Sequence, residues 1–192
     1  MTKNSPEYRV PSPESPQPHG LVQTIKNLRE GRMDNGRLST QHPALRTADL
    51  VIANARIFVR DRVRWVHQGR NPEFGLDCLG LMIVAAQRAG IQIDDYTAYS
   101  GEGDFPLLRE LMGKVCFRVR NQDRRLADIA VFAMDNFDAP RKPFTHVAYF
   151  ADRGAPWSII HCWANVGLAA ENIFDDYFEK RLRETWRLKA LE

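Results

Sequence analysis

The sequence of 192 residues contains no apolar run long enough to cross a bilayer, so no segment of it reads as a membrane-spanning helix. The opening stretch Met1–Gly20 holds only Met1, Tyr8 and Val10 as apolar side chains. That leaves no h-region for a secretory signal peptide and predicts synthesis in the cytoplasm without one. Cysteine is scarce: Cys78, Cys116 and Cys162 lie 38 and 46 positions apart, which is not the spacing of a C-x-x-C zinc or redox motif. An odd count without a signal peptide argues against a disulfide framework. Reduced thiols follow, each by default a small buried hydrophobe unless something activates it. Internal repeats and nucleic-acid-binding motifs are also missing, and the charge is nearly balanced, with 27 Lys+Arg against 24 Asp+Glu.

That balance conceals a division. Residues 1–56 carry eight basic and five acidic side chains, whereas residues 57–192 carry 19 of each. The whole net charge of +3 therefore belongs to the first part of the chain. Met1–Gly20 also holds five of the 11 prolines. Such a stretch buries too little apolar surface to offset its ordering entropy. A short helix over 21–30, with Leu21, Ile25 and Leu28 on one face, interrupts it before turn residues return. Residues 1–46 thus read as a basic, Pro-rich docking arm, and residues 47–192 as one globular domain.

Within that domain Thr47 is the predicted N-cap of a helix running through Phe58. Asn71-Pro72 marks a loop. Leu79–Ala89 is apolar on nearly every side, so it reads as a buried helix stopped by Gly90. A short helix over 104–113 precedes predicted strands at 115–119, 129–133, 145–151, 158–164 and 169–173. An amphipathic element over 175–191 closes the chain. Helices first and strands later predict an α+β fold with an antiparallel sheet.

Three residues suggest chemistry. Cys78 falls at the first turn of the buried helix, where unpaired N–H groups and the helix dipole favour a thiolate and should lower its pKa. Gly75 and Gly80 flank it and leave room for a substrate or another chain. His146 and His161 lie on strands separated by a turn cluster, Ala151–Pro156. A hairpin with that loop pairs Phe150 with Trp157 and sets the two histidines directly opposite each other. A nucleophile, a base and an orienting group then stand in order. Zinc on Cys78, His146 and His161 is the chemical alternative, but no two of these ligands have short local spacing. Cys116 reads as a core residue and Cys162 as facing away from its neighbour His161. Asp128 reads as structural, and the cluster Arg118, Arg120, Arg124 and Arg125, balanced by acids, as solvated surface.

The segment Gly75-Leu76-Asp77-Cys78-Leu79-Gly80-Leu81 resembles the nucleophile motif of the NlpC-type cysteine peptidases, papain-like enzymes that cut peptidoglycan stem peptides. His67-Gln68-Gly69-Arg70 resembles the segment before the nucleophile in members encoded with phage tail and gene-transfer-agent genes. Ala127-Asp128-Ile129-Ala130-Val131-Phe132 is similar to the family's Gly-Asp strand. Thr145-His146-Val147-Ala148-Tyr149 is similar to the strand of the general base, and Ile159-Ile160-His161-Cys162 to that of the third polar residue. Glu171 and Trp186-Arg187-Leu188 extend the likeness, which covers about residues 47–190. Three departures stand out. Asp61-Arg62-Val63-Arg64-Trp65 replaces a Gly-Thr-Pro-Tyr run, so Trp65 stands where a tyrosine is usual; Leu79 replaces Ser or Ala; and Ala127 replaces Gly.

The resemblance implies a papain-like fold and acyl transfer by Cys78, His146 and His161, with Trp65, His67 and Asp77 on the substrate side and neither metal nor cofactor. Its implied substrate is the D-glutamyl–diamino acid amide of murein. The subgroup implies a hydrolase at a virion tail tip, acting in the periplasm or cell wall and held to other tail-tip or baseplate proteins by residues 1–46, with no nucleic acid and no membrane span. The alternative is a structural tail-tip protein that keeps the fold with little or no activity, a reading that Trp65 favours.

Overall fold

A computed structural model describes residues 43–97, 99, 105–134, 144–152 and 156–192. All of them belong to one unit, Thr40–Glu192. The predicted arm up to residue 42, its helix over 21–30, and Arg153–Ala155 of the turn cluster lie outside the described residues.

Helix α1 spans Pro43–Arg60. It begins one turn before Thr47, because proline needs no N–H partner at a first helical position and its fixed φ suits it. Thr47 therefore sits inside the helix rather than capping it. Val51, Ile52, Ala55 and Phe58 make its buried stripe. Two short strands, β1 (Arg70–Asn71) and β2 (Gly75–Leu76), pair before helix α2, Cys78–Arg88. Gly90 takes the positive φ of 88° expected just past a helix end. Helix α3 spans Phe105–Val115 and runs into strand β3, Cys116–Val119.

The remaining strands are β4 (Ile129–Met134), β5 (Phe144–Asp152), β6 (Trp157–Trp163), β7 (Leu168–Ile173) and β8 (Leu182–Leu188). A one-turn helix α4, Asp176–Glu179, precedes β8. The six-stranded antiparallel sheet has the order β3-β8-β4-β5-β6-β7. The predicted C-terminal amphipathic element is thus an α-turn and a strand inserted between β3 and β4. Its charged residues mislead, because Glu184 and Arg187 are buried and paired. Arg187 donates from Nε and Nη2 to Asp128, at 2.8 Å each. Asp128 also accepts from the Arg125 backbone N–H, at 2.7 Å. It closes the turn before β4, which is the structural role expected of it. Ala127, the buried residue preceding it, holds φ at 64°, the left-handed conformation that glycine adopts most readily.

Alternation along the strands gives the sheet two apolar faces. Ile129, Val131, Val147, Tyr149, Ile160 and Cys162 pack in the core that includes the buried stripes of α1 and α2. The Tyr149 hydroxyl donates to the Met82 carbonyl of α2 at 2.9 Å. Ala130, Phe132, Ala148, Phe150 and Ile159 form a second cluster closed by Phe178 of α4. Cys116 is buried in the first core, as expected. Among the arginines of the expected surface cluster, Arg120 pairs with Asp123 and Arg118 with Glu184. No helix among the described residues is long and apolar enough to cross a membrane.

Candidate active site

Asp77 builds the start of α2. It caps the helix by accepting the Gly80 N–H at 2.7 Å on Oδ1, which also takes Arg70 Nη1 at 2.9 Å. Its Oδ2 accepts the Gln68 backbone N–H at 2.9 Å and the Tyr99 hydroxyl. A carboxylate buried to 3% exposure with four donors is a local hub. These donors occupy both carboxylate oxygens, so Asp77 has the geometry of a positioning residue beside the substrate contact expected of it. Gly80 has a different use from the expected one as well. A Cβ there would lie 2.0 Å from the Gly69 carbonyl oxygen, so the space it leaves is filled by the chain's own 66–70 segment. At Gly75 the φ of 131° and the nearby Val66 side chain impose the same demand.

Cys78 follows at the first helical position and is only partly buried. The N–H groups of Val147, Leu79 and Cys78 itself point at its sulfur and favour the thiolate. Burial outweighs them, with the Asp77 carboxylate adding to it, and the thiol is pushed up to about 12. The predicted lowering is thus reversed. The helix-start donors are present, but a desolvated anion beside a carboxylate costs more than they return. The Val147 N–H also locates the nucleophile, since Val147 follows His146 on β5.

The β5–β6 hairpin is registered two residues away from the prediction. Phe150 pairs with Ile159 and Asp152 with Trp157, because β5 takes up Ala151 and Asp152 of the expected loop while β6 still begins at Trp157. A shift of two keeps every side chain on its face. His146 and His161 therefore remain on one side of the sheet as diagonal rather than opposite neighbours. Their rings meet directly, with His146 Nε2 and His161 Nδ1 2.8 Å apart. His161 Nε2 in turn lies 2.8 Å from Oδ1 of Asn172 on β7. His146 and His161 are 2% and 0% exposed, packed among Phe132, Trp163 and Phe178. Burial lowers both pKa values; His161 adds to the lowering at His146, while the Asn172 contact opposes it at His161. Cys162 faces the other way, donating to the Leu76 carbonyl at 3.1 Å.

The fold that sets this helix-start thiol against the strand of the two histidines is similar to those of several solved structures. An NLP/P60 family protein from Staphylococcus aureus, described as similar to lipoprotein, superposes with a TM-score of 0.52 at 17% identity, over 87% of this chain and 48% of that one. An NlpC/P60 family protein from Bacillus cereus gives 0.52 at 19% identity, over 73% and 40%. NlpC1 from Trichomonas vaginalis gives 0.50 at 19% identity, over 79% and 46%. The fold is that of the NlpC/P60 proteins. The chain spans about half the length of the solved structures it matches. No family model matches the sequence, and no curated protein matches it either.

On this NlpC/P60 fold Trp65 bridges to Leu76 of β2, and its backbone N–H donates to the Gly167 carbonyl at 2.8 Å. Its indole stacks on the exposed His67, with ring centroids 6.3 Å apart, and Tyr99 meets the other ring edge-on at 5.7 Å. The two expected substrate contacts thus share one aromatic row with Tyr99. Tyr99, Arg70 and Asn172 belong to the site's framework but were not expected in it. Tyr99 comes from a loop beyond the far end of α2, a separation from the nucleophile that no local motif encodes. Asn172 shows only once β6–β7 register is known. Among the described residues no group of three or more His, Cys, Asp or Glu side chains is arranged to hold a metal ion.

Proposed function

We propose that this chain is a cysteine peptidase of the NlpC type that hydrolyses a peptidoglycan stem-peptide amide. The observation that carries the reading is the Cys78 thiol held by the Val147 N–H, one residue from a buried His146–His161 pair. His146, through Nδ1, the ring nitrogen turned away from His161, takes the proton of Cys78 as the sulfur attacks the amide carbonyl. The Cys78 N–H at the start of α2 is the candidate oxyanion donor. His146 then protonates the leaving amine, and water hydrolyses the thioester. His161 holds the His146 ring in orientation, as the third member of a triad does. Because Cys78 and His146 both rest neutral, the proton moves within the encounter rather than beforehand.

The sequence resemblance supports the D-glutamyl–diamino acid amide as the bond cut, with Trp65 and His67 lining the approach. It also supports a tail-tip setting, with residues 1–46 held by tail or baseplate proteins and the hydrolase reaching the cell wall from outside. The second reading is a structural tail-tip protein without activity, which Trp65 in place of tyrosine and the raised thiol favour. Mass spectrometry of fragments released from purified murein separates the two. Wild type is expected to release stem-peptide fragments and Cys78→Ala none, with circular dichroism unchanged. Equal release by both proteins, or none from wild type, would overturn the peptidase reading.

A further inference from the structure

The buried histidine row ends at an amide, and that end sets the direction of every proton along it. We propose that Asn172 is a positioning residue whose Oδ1 fixes the tautomers of His161 and His146, leaving the His146 Nδ1 lone pair for the Cys78 proton. The proposal rests on the peptidase reading above and deepens it.

His161 is 0% exposed, so water does not satisfy its ring nitrogens. Its Nε2 faces Asn172 Oδ1 at 2.8 Å, and a carbonyl oxygen only accepts. The proton of neutral His161 therefore sits on Nε2 and the lone pair on Nδ1. That lone pair faces His146 Nε2 at 2.8 Å, so His146 carries its proton on Nε2 too. His146 Nδ1 is left as an acceptor, which a general base requires. Register makes this relay possible. His161 pairs with Ala170 and Ile159 with Asn172, so Asn172 is the same-face diagonal neighbour of His161, as His161 is of His146. Three adjacent strands each contribute one member to one row.

The protons balance within this scheme. The Cys78 S–H bond breaks as an N–H bond forms at His146 Nδ1, and the imidazolium keeps its Nε2–H bond to His161. Nothing need leave the row, and the same proton returns to the leaving amine. In the opposite tautomer His161 Nδ1–H would donate to His146 Nε2. His146 would then hold its proton on Nδ1 and could not accept one from sulfur. The His161 Nε2 lone pair would also confront the Asn172 oxygen, setting two acceptors against each other at 2.8 Å.

Two measurements on the full chain test this. Nitrogen-15 spectra of histidine-labelled wild type at pH 7.5 are expected to show His146 and His161 both as Nε2–H tautomers. A proton on Nδ1 of either ring overturns the assignment without any variant. Asn172→Leu, which keeps the volume and loses the acceptor, is expected to mix the tautomers and cut kcat for murein fragment release at least about tenfold with KM little changed. Asn172→Asp, an acceptor again, is expected to restore the tautomers and most of kcat. Wild-type tautomers in the Leu variant overturn the role of Asn172. Wild type with the expected tautomers and no fragment release overturns the peptidase reading alone and leaves the tautomer assignment standing.

Discussion

At the scale of single residues, Cys78 and its neighbours show how position and environment can disagree. A helix start offers backbone donors to a thiolate, yet burial and Asp77 keep this thiol neutral, up to about 12. Its sign is plain: a raised pKa means that the reactive thiolate grows with pH across the neutral range. Iodoacetamide labelling of Cys78, followed by peptide mass spectrometry, is expected to accelerate about tenfold per pH unit between pH 6 and 9. A rate that is flat from mildly acid pH upward would show a thiolate already formed and overturn the assignment. Cys116 and Cys162, also raised to about 12 by burial and fully packed, are expected to stay unlabelled in the folded protein.

At the scale of elements, the start of α2 depends on a close backbone approach. Gly80 admits the Gly69 carbonyl where any Cβ would collide, at 2.0 Å. Because the colliding atom is backbone, relief requires the 66–70 segment or the helix to move. Gly80→Ala is expected to cost about 1–3 kcal/mol in denaturant unfolding and to detach Gln68 and Arg70 from Asp77. A stability within about 0.5 kcal/mol of wild type would show that the segment gives way freely. Elements with local signals were readable in advance. The apolar block after Cys78, stopped by Gly90, is α2, and the stretches at 129–133 and 145–151 are β4 and β5. The last element was not, because its charged residues are buried against partners far away in sequence: Glu184 with Arg109 and Arg118, and Arg187 with Asp128. Glu184 shows the outcome: burial raises its pKa, but Arg109, the Trp186 indole and Arg118 together bring it below the usual carboxylate value.

At the scale of the whole molecule, the buried histidine pair couples stability to pH. Both folded-state pKa values lie below 6.5. As pH falls below 6.5 the unfolded chain binds protons that the folded chain refuses. Stability is therefore fully present above that pH and is lost below it, by up to about 1.4 kcal/mol per pH unit for each histidine. Urea midpoints are expected to drop between pH 6.5 and 5, where the carboxylates have barely begun to titrate. The drop should shrink in a His146→Gln, His161→Gln double variant. An equal drop in both proteins would place the acid sensitivity elsewhere.

Local chemistry in the chain is enough to mark a helix that opens with a cysteine, a run of later strands and two histidines of matching parity. Each of these depends on neighbours within one turn or one strand, and parity survives an even slip in register. Tertiary structure decides the rest, because it depends on contacts between distant segments. The two-residue register shift turns opposed histidines into diagonal ones, and pairing with β7 brings in Asn172. The fold around Asp77 collects donors from Gln68, Arg70, Gly80 and Tyr99. Desolvation reverses the expected charge of the thiol, since burial is a property of the packed molecule and not of any stretch of sequence.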